Sequence, residues 1–226
     1  MRSRASIVGL LVGLALSWGC SPSRGAPDAA TRDAARIDVG PIDAGTIREP
    51  TDAGPVEPAF DEALQLDDGA LAALDPGMLP VASTACRPPT LMRVAWVTDG
   101  DTITVEDPDT GAQERVRIIG IDTPEIAHDA TTTADCYGPE AHAFTTALSG
   151  HLVWLTFEAG CLDRFDRTLA HVHVSAAPEG SWGRQILRRG LGRTLFVRPN
   201  RAFEALFTAD LDLARSEPRG LWAVCP

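Results

Sequence analysis

Four short stretches combine carboxylates and arginines in a way that suits phosphate chemistry. They are Asp99-Gly100-Asp101-Thr102, Arg117 with Ile121-Asp122-Thr123-Pro124-Glu125, Tyr137-Gly138-Pro139-Glu140-Ala141, and Asp163-Arg164-Phe165-Asp166-Arg167. Asp101, Asp122 and Glu125 offer hard oxygen ligands and a base, and Arg117 and Arg167 offer planar forks of donors that grip an anion. Hydrolysis of a phosphodiester needs carboxylates facing arginines across one site. A divalent cation and guanidiniums offset charge developing on the phosphorus oxygens, and a carboxylate activates or orients water. Each piece alone has an ordinary structural explanation, since Asp-Gly is commonest in turns and Thr-Pro-Glu at helix starts.

The elements that must position these residues lie in the second half of the chain. Met92 to Val97 and Thr102 to Val105 alternate apolar and polar residues, the turn Asp107-Pro108-Asp109-Thr110-Gly111 follows, and Arg115 to Ile119 resumes the alternation. Strand, turn and strand again is the pattern of a meander. Pro139 to Leu148 predicts a helix with Pro in its first turn and Ala141, Phe144 and Leu148 on one face. Two further strands are expected at His151–Phe157 and Thr168–Val174, and two helices at Trp182–Arg189 and Arg201–Arg215. Five strands with an inserted helix and C-terminal helices predict an α+β fold, a five-stranded OB-type β-barrel with three α-helices.

The first 85 residues are different material. Arg2 and Arg4 precede an apolar run from Ile7 to Trp18 that ends at Gly19-Cys20-Ser21, an export signal too short for a stable transmembrane helix. Gly19 before Cys20 resembles a bacterial lipoprotein signal, so residues 1–20 are expected to be removed up to a lipidated Cys20; ordinary secretion is the alternative. Residues 21–80 hold 12 Ala, 8 Pro, 12 acids and 4 Arg with Phe60 as the single aromatic. Such a segment buries too little apolar area to offset its ordering entropy, so 21–85 is expected to be a disordered acidic linker. Within it Asp61–Leu74 has a helical bias through Leu64, Leu71 and Leu74, which is set below the unfolded reading.

Across 226 residues the net charge is −11, and every basic residue is Arg. No second apolar run spans a bilayer, which excludes a polytopic membrane protein. The acidity argues against an unspecific nucleic-acid binder without excluding an enzyme whose site is locally positive. Residues 86–226 hold 11 of the 13 aromatics, with 14 Arg against 19 acids. With Cys20 lipidated, Cys86, Cys136, Cys161 and Cys225 remain, enough for two disulfides in any of three connectivities. No CxxC pair occurs, which speaks against structural zinc. His171 and His173 share one strand face and are expected to be barrel residues, and His128, His142 and His151 show no partner pattern. Arg184, Arg188, Arg189, Arg193, Arg198 and Arg201 are either a track for a nucleic-acid strand or a helix face paired with acids.

In their order and spacing the four stretches resemble the staphylococcal nuclease family along nearly all of residues 91–222, down to the terminal Gly220-Leu221-Trp222. The resemblance implies that Asp101, Asp122 and the carbonyl of Thr123 are ligands of Ca²⁺, whose preference is for oxygen. It implies that Asp99 is the acid standing behind them and that Glu125 orients or deprotonates the attacking water. Arg117 would contact the scissile phosphate, and Arg167 would stabilise charge in the transition state. Arg164 and Phe165 would touch substrate. The family cleaves DNA and RNA at the bond to the 5′ oxygen and leaves 3′-phosphates. Departures are also visible: Phe165, Leu195 and Val197 stand at positions of stacking tyrosines, and Asp166 stands where the family often has Gly.

In the family's layout the pairing implied is Cys136–Cys161, bridging the loops of Glu125 and Arg167, with Cys86–Cys225 tying the two ends of the domain. The function expected is an extracytoplasmic, calcium-dependent nuclease, monomeric, held to a membrane only through Cys20. Its alternative is a nucleic-acid-binding OB module without catalysis, against which the full set Asp101, Arg117, Asp122, Glu125 and Arg167 argues. A structural envelope lipoprotein would need no such set.

Overall fold

The structure, a computed structural model, describes residues 64–129 and 131–226. The expected export signal, the lipidated Cys20 and the linker up to residue 63 lie outside the described residues. Strands β1 (Thr90–Asp99), β2 (Thr102–Glu106), β3 (Gln113–Ile118), β5 (Leu152–Thr156) and β6 (Thr168–His173) close into a barrel in the order β1-β2-β3-β6-β5. All neighbours are antiparallel except β3 and β6, which run parallel from the pair Val116 and Thr168. The ten residues of β1 serve two partners. Thr90–Arg93 pair with β5 and Arg93–Asp99 with β2, with register shifts between Val94 and Trp96 and between Val97 and Asp99. Such bulges bend a strand around a barrel's rim and re-aim the side chains beyond them. Asp99, at the end of β1, is one of those. The β2–β3 turn forms as its sequence predicts, with Asp107 Oδ1 accepting from the backbone N–H of Asp109 and Thr110.

The alternation seen in the sequence is the barrel's inside. Val94, Ile103, Val105, Val116, Val153, Leu155, Ala170 and Val172 are fully buried. Each larger one contributes about 1.5–3 kcal/mol relative to exposure. Helix α2 (Gly138–Thr146) caps the core with Ala141 and stacks Phe144 on Trp182 of α3 (Trp182–Arg188), ring centroids 4.5 Å apart. Helix α4 (Glu204–Ser216) lays Phe207, Leu211 and Ala214 inward. The three expected helices and five expected barrel strands are thus present. Two additions were not foreseen, a two-stranded ribbon of β4 (Gly120–Asp122) and β7 (Arg193–Leu195) and a last short helix α5 (Leu221–Val224), and α1 (Asp68–Ala73) forms inside the stretch whose helical bias was set below the unfolded reading.

Helix α1 corrects the reading of residues 64–85 as disordered linker. Asp67 caps its N-terminus by accepting from Ala70 N–H. Leu71 and Leu79 pack on the outward side chains Leu152 and Trp154 of β5. Trp154 Nε1 donates to the Leu71 carbonyl at 2.9 Å, and Asp68 accepts from Leu152 N–H at 2.9 Å. The barrel thus supplies an apolar face that this short, Leu-containing segment covers, a gain no local composition reveals. Among the described residues no helix is long and apolar enough to cross a membrane.

The disulfides are Cys86–Cys161 and Cys136–Cys225, in place of the expected Cys136–Cys161 and Cys86–Cys225. The backbone explains the exchange. Cys86 N–H donates to Glu158 O, so the segment entering β1 runs beside the exit of β5, where Cys161 sits. Cys225 ends α5, which Leu221 N–H ties to Gly190 O, on the side of the domain where Tyr137, just before α2, and Glu140 of α2 meet Arg189 and Arg219. No single bridge joins the Glu125 and Arg167 loops. Each bridge instead borders one of them.

Candidate active site

Arg117 is the hub of the first group. The register sets Thr102 opposite Arg117, so Asp101 stands one residue from it at the open end of β2. Arg117 Nη1 lies 3.1 Å from Asp101 Oδ2 and donates to the carbonyls of Ile121 and Ile118, and Nη2 donates to Asp122 Oδ1 at 2.8 Å. Asp101 is buried, and Oδ2 also accepts from Thr123 N–H at 2.9 Å, while Oδ1 accepts from Thr102 Oγ1. The β4–β7 ribbon fixes Asp122 opposite Arg193, and this holds the Asp122-Thr123 peptide against Asp101. Gly100 permits the approach, because a Cβ there would stand 2.8 Å from Thr123 Oγ1.

Glu125 follows on a loop closed at its base by Asp135. Asp135 N–H donates to Glu125 O at 2.9 Å, and Glu125 N–H points to Asp135 Oδ2 at 3.3 Å. Gly138 lets α2 begin against this loop, since a Cβ would fall 2.2 Å from Glu125 O. Burial raises the Glu125 carboxyl above its usual range, and the neighbouring charges of Asp99 and Asp101 push the same way. His128, for which the sequence showed no partner, has Nε2 3.1 Å from Asp99 Oδ1 and 3.6 Å from Glu125 Oε2. The signal was the Glu125-x-x-His128 spacing, one of many such pairs in any chain.

Arg167 stands on the other wall. Asp163 organises its loop: Oδ1 accepts from the N–H of Phe165 and Arg167, and Oδ2 takes Arg167 Nε at 2.7 Å. Against the penalty of burial, the Arg167 N–H and guanidinium hold the Asp163 carboxyl below its usual range. Asp166 completes the turn at φ +59°, the left-handed region that favours Gly. Phe165 is exposed, with the Arg164 guanidinium 4.6 Å and that of Arg167 5.5 Å from its ring centre. Arg117, Arg164, Phe165, Arg167, Leu195 and Val197 line one cleft of about 550 Å³.

The residues named from the sequence therefore gather, but in two sets. Arg117 draws Asp101 and Asp122 together, and Glu125 faces Asp99 and Asp101. Both arginines reach one cleft while paired to aspartates of their own. The arginine stretch divides differently from the track reading. Arg184 and Arg188 are buried on Asp210, and Arg201 pairs with Glu204. Arg198 lines the cleft. His171 is buried against Glu158, and His173 against Thr156 Oγ1. Burial, with the charge of His171, holds His173 down at about 3.

The residues present fit a hard divalent cation: Asp101 and Asp122, gathered on Arg117 beside the Thr123 peptide, make an oxygen-only donor set, and the Glu125 carboxyl nearby is raised by the charges of Asp99 and Asp101.

This barrel and this collection of acids and arginines define a family. The family model described as staphylococcal nuclease homologue matches residues 115–224. The thermonuclease of Staphylococcus hyicus is 34% identical over 132 residues, 58% of this chain and 75% of that protein. The thermonuclease of Staphylococcus intermedius is 34% identical over 130 residues, 57% of this chain and 74% of that protein. The chain belongs to the staphylococcal nuclease family.

Proposed function

We propose that the protein is an exported, calcium-dependent nuclease that hydrolyses DNA and RNA to products with 3′-phosphates. The observation carrying this reading is that Arg117 and Arg167 line one cleft beside a crowd of four carboxylates. The thermonuclease names of the relatives support the same activity.

A phosphodiester entering the cleft competes for both guanidiniums. Arg117 exchanges its exposed partner Asp122 for a phosphate oxygen while its bonds to the Ile118 and Ile121 carbonyls hold its plane. Arg167 turns donors from Asp163 toward the phosphate, and the backbone bonds to Asp163 keep the loop in place. Glu125 orients a water and takes its proton as oxygen attacks phosphorus. The P–O5′ bond breaks, the leaving 5′ oxygen takes a proton from solvent water, and phosphate stays on the 3′ side. Ca²⁺ bound by Asp101, Asp122 and the Thr123 carbonyl would add positive charge at the phosphate oxygens. Phe165 offers an exposed ring for a base or sugar, and Leu195 and Val197 offer apolar surface in place of tyrosines.

Two disulfides support an oxidising compartment, and the lipobox-like Cys20 supports a membrane-anchored monomer outside the cytoplasm, with the acidic linker as tether. Incubation of the protein with single-stranded DNA and with RNA, in Ca²⁺ or in a calcium chelator, tests the reading. Cleavage in Ca²⁺ that stops in the chelator is expected. Full activity in the chelator contradicts the calcium assignment, and no cleavage in Ca²⁺ contradicts the nuclease.

A further inference from the structure

We infer that Asp99, Glu125 and His128 form a separate site for a borderline transition-metal ion such as Zn²⁺, which silences the enzyme by taking its base. One ligand atom from each of the three lies within 4.8 Å of the others. Two of the edges are 3.1 Å, from His128 Nε2 to Asp99 Oδ1, and 3.6 Å, from His128 Nε2 to Glu125 Oε2. Around a tetrahedral ion with ligand bonds of about 2.0–2.2 Å, neighbouring donors stand about 3.3–3.6 Å apart. Little movement is needed to place an ion between them.

A second observation points into the same space. The Asp99 side chain is 10% exposed, and its Oδ1 is buried and accepts no hydrogen bond, although it faces His128 Nε2. A buried carboxylate oxygen that accepts no hydrogen bond and is faced by an imidazole nitrogen at 3.1 Å suits a cation seated between the two. The imidazole sets the preference. Oxygen-only donors suit Ca²⁺, whereas a neutral imidazole nitrogen suits zinc and its neighbours. Glu125 and His128 are half exposed, so solvent reaches the ion and a water fills the fourth position.

The site shares no ligand with Asp101, Asp122 and the Thr123 carbonyl, so Ca²⁺ need not leave for Zn²⁺ to enter. Bound Zn²⁺ holds the Glu125 carboxylate, which then neither orients water nor takes a proton. The inhibition rests on the nuclease reading; the binding does not. Titrating the full chain with Zn²⁺ against a chromophoric chelator, with Ca²⁺ in excess, reads binding without activity. His128→Gln should weaken Zn²⁺ binding by roughly tenfold or more, since losing even a group that only orients a ligand costs about that much, and His142→Gln should leave it unchanged. In the DNA assay with Ca²⁺, the fractional inhibition by Zn²⁺ should be large for wild type and small for His128→Gln, each measured against its own zinc-free rate. Equal Zn²⁺ affinity in His128→Gln and wild type, or no Zn²⁺ binding by wild type, overturns the site. If the chain cleaved no nucleic acid, the nuclease reading would fall while the Zn²⁺ titration still decided the site.

Discussion

Both cleft arginines are held by aspartates, Arg117 by Asp101 and Asp122 and Arg167 by Asp163. Such pairs hold the planar forks ready without burying a bare charge. Arg167→Lys keeps the charge and loses the fork. Turnover of DNA should fall by roughly 10²-fold or more, on the scale of one lost preorganised donor, while the Kd for uncleaved DNA changes far less. Turnover near that of wild type would refute the assigned role. Asp166 carries a left-handed backbone and a negative charge next to Arg167. Asp166→Gly should raise stability by no more than about 1 kcal/mol, because relief of φ strain is partly offset by unfolded-chain entropy, and should tighten DNA binding. Looser binding would contradict the placement. At this scale the sequence was informative where residue types come in uncommon combinations: Arg117 and Arg167 line one cleft, Asp101 and Asp122 pair with Arg117, and Glu125 faces Asp101. His128 was not legible, because its partner Asp99 lies across the chain on β1 and only folding brings them together.

Among the elements, those with long periodicity could be read and those that depend on a distant face could not. The alternation in β1–β3 and the apolar face of α2 are local, and both formed where expected. Strands β4 and β7 have three residues each, too few for a period of two to register, and their pairing through Gly120 and Leu195 joins segments far apart in sequence. Helix α1 was hidden because its partner, Trp154, belongs to a strand 83 positions after Leu71. The disulfides close 75 and 89 residues. Loop entropy makes each worth roughly 4.5 kcal/mol as an upper value, so Cys136→Ser with Cys225→Ser should lower the Tm by roughly 5–15 °C. Peptide mapping should recover Cys86 joined to Cys161, and a Cys136–Cys161 peptide would contradict the fold's ends. Helix α1 gives a pH dependence. Against burial, Leu152 N–H, His151 and Arg93 hold Asp68 below its ordinary range. Its contribution is therefore present above the ordinary carboxylate range and is lost as pH falls below about 4. Hydrogen exchange at the Leu71 amide should show protection near neutrality that disappears in acid. Protection that persisted in acid would place the anchor of α1 elsewhere.

As a whole the domain from 86 to 226 is acidic, with 14 Arg against 19 acids, and its buried arginines serve the fold: Arg184 and Arg188 tie α3 to α4 through Asp210. Few phosphates beyond the cleft should be neutralised. The slope of log K against log salt on single-stranded DNA should then match about two or three phosphate contacts, and a slope worth about six or more would require a basic track outside the cleft. The central claim is that this cleft breaks the bond between phosphorus and the 5′ oxygen using Glu125. The most direct measurement tracks a 5′-labelled DNA oligonucleotide in Ca²⁺ with wild type and Glu125→Gln, and identifies the ends produced. The account predicts fragments that carry 3′-phosphates and a rate lower by roughly 10²-fold or more in Glu125→Gln. Fragments ending in 3′-hydroxyls, or a Glu125→Gln variant as fast as wild type, would contradict it.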